Sequence, residues 1–167
     1  TGQLSDGQYR VIGMVQNMTE SYGQTYRWKD YLLYNHLTGY RWLNENNGHY
    51  TLFEQLYAIP ESSSTKRRGF SFKHRPVGMP GPNYIMVDGK KNLHFSTAEV
   101  KVEKVVGEFY WRVMAGETAV VYDFIDPPKM VSAAVGQHDI TWTAGRYLEK
   151  EDLEKIFSGI DFEAPRG

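Results

Sequence analysis

Ala98-Glu99-Val100-Lys101-Val102-Glu103 places Ala98, Val100 and Val102 on one side of an extended chain and Glu99, Lys101 and Glu103 on the other. Successive side chains of a strand point to opposite faces, so this alternation describes a strand with one face on a core and one in water. Downstream, past a break near Gly107, Phe109, Trp111 and Val113 carry the same period. Upstream, residues 84–87 form a short apolar run closed by Asp88-Gly89, a tight-turn signal.

The first third repeats the pattern. Tyr9, Val11, Gly13 and Val15 alternate with Arg10, Ile12, Met14 and Gln16. Residues 17–23 are polar and turn-like, 26–34 read as a second strand, 40–43 as a third and 49–56 as a fourth. Asn46-Asn47-Gly48 marks a hairpin, because Asn and Gly tolerate positive φ. In the second half, Gly116-Glu117 turns into a strand over 118–124, Pro127-Pro128 stops it, and 139–143 is the last strand expected.

One helix is predicted, over 149–158. Leu153, Ile156 and Phe157 share a face, Glu149, Glu151 and Asp152 suit the first turn, and Gly159 suits the end. The fold class expected is therefore mainly β, α+β at most. Antiparallel meanders would form a sandwich or partly open barrel, with one short C-terminal helix. Residues 1–167 read as a single domain opening on Thr1, a module of a larger protein. A two-lobed variant would put one meander at 1–59, a loop at 60–83 and a second meander at 84–148.

Composition narrows the function classes. At 167 residues, with 41% apolar and 23% charged, the chain can bury a real core. The aromatic share of 14% favours sheet, since aromatic rings pack well on pleated surfaces. A net charge of −1 argues against a domain that grips nucleic acid with its whole surface. With no cysteine, disulfides, thiolate zinc sites and a cysteine nucleophile are excluded. No apolar stretch approaches the roughly 18 residues that span a membrane.

Between Pro60 and Pro82, prolines, glycines and the run Ser62-Ser63-Ser64 point to loop. Within it, Lys66, Arg67, Arg68, Lys73 and Arg75 fall close together without an acid, interleaved with Phe70, Phe72 and His74. Such a cluster can hold phosphates or lie on an anionic lipid surface. Its plainer reading is a solvated loop.

Trp28 beside Asp30, Trp142, and the stretch Asp123, Asp126 and His138 are the candidate ligand-binding residues. Aromatic rings on a sheet can stack on a ligand, and carboxylates with an imidazole can move protons. The competing reading of the aromatics is core and cross-strand pairing. Ser132, His138 and an Asp could be drawn as a triad, but most chains of this size supply those three. Spaced histidine pairs and phosphate-cradling glycine motifs are absent, so no metal, cofactor or catalytic residue is assigned.

Seven motifs in order then suggest a family. They run Gly7-Gln8-Tyr9-Arg10-Val11-Ile12-Gly13, Trp28-Lys29-Asp30-Tyr31-Leu32-Leu33, Trp42-Leu43 and Gly48-His49-Tyr50. They continue with Gly107-Glu108-Phe109-Tyr110-Trp111, Asp123-Phe124-Ile125-Asp126-Pro127-Pro128-Lys129-Met130-Val131-Ser132, and Ile140-Thr141-Trp142-Thr143-Ala144-Gly145-Arg146-Tyr147. Over nearly its whole length the chain resembles the bacterial domain-of-unknown-function family 4178. The resemblance implies a β-rich domain with no assigned activity, whose relatives can sit beside a zinc ribbon or membrane segments. It also implies neighbours such as polyamine-synthase-like enzymes and membrane-stress proteins of the phage-shock type. Arg146 and Lys29 depart from the acidic character of their motifs, which would weaken any binding of a cation there.

The functional expectation is a protein-interaction or adaptor module rather than an enzyme, in a membrane-stress or polyamine-linked system. Other protein subunits are the partners expected, nucleic acid is not, and peripheral membrane association is weighed. The expected compartment is cytoplasmic, with tethering to the inner membrane in a longer protein. The rivals are a small-ligand domain or enzyme with an aromatic pocket near Asp123, Asp126 and His138, and an anion binder using the loop at 66–75. The adaptor requires an exposed apolar patch or free strand edge and no deep polar pocket. The enzyme requires at least two of its three polar groups in one closed pocket.

Overall fold

The computed structural model describes residues 2–4, 7–57, 61–62, 82–109, 113–136 and 139–156. The basic cluster Lys66, Arg67, Arg68, Lys73 and Arg75 lies outside them, as do Trp111, His138 and Phe157. In chain order the elements are β1 (Gly2–Leu4), β2 (Gly7–Ser21), β3 (Gln24–Asn35), β4 (Gly39–Asn46), β5 (His49–Leu56) and β6 (Glu61–Ser62). There follow β7 (Tyr84–Val87), β8 (Lys90–Gly107), β9 (Thr118–Asp126), β10 (Lys129–Val135), β11 (Ile140–Leu148) and α1 (Lys150–Ile156). The described residues are mainly strand with one short helix, as the periodicity implies.

The hydrogen-bonding order is β1-β2-β3-β4-β5-β11-β10-β9-β8-β7-β6, with β2 also paired to β8. The second pairing returns β8 to β2, so the order from β2 to β8 closes on itself as eight antiparallel strands. This corrects the expected sandwich or partly open barrel. The closing register, Gly13↔Gly107 to Met18↔Lys101, joins segments far apart in sequence, and strand periodicity carries no information about such a partner.

Several boundaries also differ. Residues 17–21 belong to β2, because the turn is only Tyr22-Gly23. Strand β8 is far longer than its alternating centre and ends at Gly107, so Phe109 and Val113 lie outside any strand. Strand β10 was not anticipated, and Glu61–Ser62 forms a short strand at the edge of the Pro-rich stretch. The Asn47-Gly48 and Asp88-Gly89 turns have positive φ at both positions, as two-residue hairpins of this twist require.

Two compact units are interleaved along the sequence. The first comprises residues 1–54, 101–117 and 146–167, and the second 55–100 and 118–145. In the first, Tyr9, Leu33, Leu43, Leu148 and Leu153 form a buried cluster, with Tyr31, Tyr50 and Leu52 packed on it. Helix α1 delivers Leu153, and its start is held by the Asp152 carboxylate, which accepts from the Glu149 N–H at 3.1 Å. In the second unit Ile85, Tyr122, Phe124, Val131, Ala133 and Trp142 are buried together. Deleting a Leu or Phe side chain from either cluster should cost about 2–5 kcal/mol.

Candidate functional site

In the first unit Trp28 and Asp30 stand two residues apart on β3, hence on one face. Asn44 is directly opposite Asp30 on β4, and Asn17 is opposite Trp28 on β2. The Asp30 carboxylate accepts from Asn17 Nδ2 at 2.6 Å through Oδ2 and from Asn44 Nδ2 at 2.9 Å through Oδ1. The Trp28 side chain also donates to it. Burial raises the Asp30 pKa above the ordinary 3.8, and these three donors pull against that rise. With its oxygens already taken by neutral donors, the carboxylate joins β2, β3 and β4.

On the other face of the same strands is an open cleft of about 190 Å³, lined by Gln16, Arg27, Lys29, Glu45 and Asn47 among others. Its cations are partly neutralised: Arg27 Nε meets both oxygens of Glu103 at 3.0 Å, and Gln16 Nε2 donates to the same carboxylate at 2.8 Å. The Gln16 hydrogen bond, with Arg27, holds Glu103 below its ordinary pKa.

In the second unit Asp123 of β9 faces Ser132 of β10 in register. Its carboxylate accepts from Ser132 Oγ, and from Ser96 Oγ of β8 at 3.1 Å. Burial raises its pKa, against the two serines and the nearby His94 charge. The His94 ring lies edge-on to Phe124 at 5.7 Å, and its Nε2 meets Thr97 Oγ1 at 2.7 Å.

A nucleophilic triad needs the imidazole between hydroxyl and carboxylate. Here both serine hydroxyls bond the carboxylate directly and the imidazole nitrogen is engaged by a threonine. The cluster ties three strands through the Asp123 carboxylate.

The remaining candidates separate. Asp126 is three positions from Asp123 on the same strand and therefore projects to the opposite face, at the turn where it pairs with Lys129. Trp142, 5% exposed, is part of the second unit's core. Among the described residues no group of three His, Asp or Glu is gathered for a metal ion, and no helix is long and apolar enough to cross a membrane.

The feature that residue-type reasoning missed is an apolar outer face in the second unit. Ile85 and Asn92, paired across β7 and β8, point inward and are buried. The alternate positions Tyr84, Met86, Lys91, Leu93 and Phe95 therefore point outward. Leu93 is 55% exposed and Phe95 67%. Tyr84 is opposite Leu93, and Lys91 Nζ sits 4.1 Å above the Tyr84 ring. The alternation of Leu93 and Phe95 with buried Asn92 was the available signal, hidden because the apolar side chains take the wet face.

A family model described as a domain of unknown function (DUF4178) matches residues 1–150. No curated protein and no solved structure matches.

Proposed function

We propose, for a chain that belongs to the family of domains of unknown function DUF4178, that it is a protein-docking module whose partner seats on the outer face of β7 and β8. One observation carries this reading: Leu93 and Phe95 are both more than half exposed, side by side on one face, and continue onto Tyr84. Single exposed apolar residues are ordinary, whereas adjacent ones with an aromatic neighbour are the composition of an interface centre. Lys91 at its end favours a partner carrying acidic residues at the matching rim.

The small-ligand or enzyme reading finds less support. It needs two of Asp123, Asp126 and His138 in one pocket; Asp123 and Asp126 project to opposite faces, and His138 lies outside the described residues. Copurification of the full-length protein from its own cells tests the docking reading. A protein retained by the native chain should be lost from the Leu93→Ser/Phe95→Ser double variant. Equal retention by both would overturn it.

A further inference from the structure

Lys29 and Glu45 are directly opposite across β3 and β4, and Gln16 is opposite Lys29 across β2 and β3. Cross-strand partners share a face, and Arg27, two residues from Lys29, shares it too. These four line the open cleft of the first unit, together with Asn47 and Gly48 of the adjoining turn.

Opposite charges that face each other on a sheet ordinarily pair. Here they do not. Among the described residues Lys29 has no hydrogen-bond or ion-pair partner, and Glu45 accepts only from the Gly48 N–H, at 3.1 Å through Oε1.

Arg27 is held from behind. Glu103 is the extra residue where the register of β2 and β8 shifts, between Val102 opposite Asn17 and Lys104 opposite Gln16. Such a bulge re-aims a side chain. The Glu103 carboxylate takes Arg27 Nε at 3.0 Å on both oxygens and Gln16 Nε2 at 2.8 Å on one. Nη1 and Nη2 of Arg27 keep no partner among the described residues. A guanidinium fixed through Nε offers its two outer nitrogens as a fork for a carboxylate.

The cleft therefore has two unlike ends. Arg27 and Lys29 supply donors from β3, and Glu45 supplies a carboxylate oxygen from β4. A plain anion would satisfy the first end and sit beside the charge of the second. A ligand with both charges satisfies both. At about 190 Å³ the cleft is smaller than the roughly 300–1,000 Å³ that holds a drug-sized molecule.

We propose that this cleft binds a free α-amino acid with a small or polar side chain. The ligand carboxylate lies on the Arg27 fork and Lys29 Nζ, its ammonium donates to Glu45 Oε2, and its side chain meets the Asn47 amide. The site uses no residue of β7 or β8, and none of Asp123, Asp126 or His138.

NMR titration of the isotope-labelled chain, read at the Gly48 and Lys29 amides, tests it, with near-UV circular dichroism confirming each variant's fold. The probes are L-glutamine, N-acetylglutamine without the ammonium, glutaminamide without the carboxylate, and inorganic phosphate as a plain anion. Glutamine should shift both amides saturably, and each derivative should bind about tenfold more weakly. Glu45→Gln, which keeps an acceptor for Gly48, should weaken glutamine about tenfold and leave N-acetylglutamine unchanged. Lys29→Met should weaken both, and Lys29→Arg should restore them. The Leu93→Ser/Phe95→Ser variant should bind glutamine as the native chain does, which separates this site from the docking face. No saturable shift with glutamine, phosphate bound as tightly as glutamine, or unchanged glutamine binding in Glu45→Gln would overturn the proposal.

Discussion

Asn17 reaches diagonally across the β2–β3 pair and donates to Asp30 at 2.6 Å, while Asn44 holds the other carboxylate oxygen from β4. A partly buried carboxylate with a donor on each oxygen is costly to strip of one. Asn44→Ala should lower stability by about 1–3 kcal/mol, read as a shifted urea midpoint with unchanged slope.

Burial raises the pKa of Asp30 and Asp123 above 3.8, so the folded chain holds these protons more tightly than the unfolded chain. Their contribution is greatest below the ordinary carboxylate value and is lost as pH rises through the raised folded values. Glu103 acts in the opposite sense: held below 4.5, it adds stability that disappears as pH falls through its lowered value. Asp30→Asn should therefore flatten the fall in stability on going from about pH 4 upward, measured by denaturant unfolding at each pH.

Gly107 has φ +96, and a Cβ there would stand 2.3 Å from the Ile12 carbonyl oxygen. Neither the backbone conformation nor the approach of β2 tolerates a side chain. Gly107→Ala should cost about 1–3 kcal/mol and show as a lowered thermal midpoint. Gly13→Ala should cost less, since the obstacle is chiefly the Phe109 ring at 2.8 Å, which can move at the expense of its stacking on Trp42.

Tyr22→Asn should stabilise the chain. Asn tolerates the φ of 51 that Tyr resists, so relief of about 1 kcal/mol should raise the midpoint by about 2–4 °C. A midpoint that falls would show that the tyrosine is accommodated in this turn without strain.

Much of the fold is legible in the chain. Period two placed β2 to β5, β7 and β9, and Leu153 with its acidic first turn placed α1. Closure of β2 onto β8 was not legible, because pairing across some ninety residues leaves no local trace. Trp28 and Asp30 were recognisable by their i, i+2 spacing, but their partners Asn17 and Asn44 depend on cross-strand register. Leu93 and Phe95 were overlooked because exposure, not residue type, makes them notable.

A benzophenone amino acid placed at position 95 in the full-length protein, irradiated in its native cells, tests the docking face most directly. The expected result is one discrete protein adduct from position 95 and none from position 37, where Leu37 is 78% exposed in the other unit. The purified adduct partner should then bind Phe95→Ala about 30-fold more weakly than the native chain, as for a residue at an interface centre. No adduct, equal adducts from both positions, or unchanged affinity would contradict a partner seated on β7 and β8.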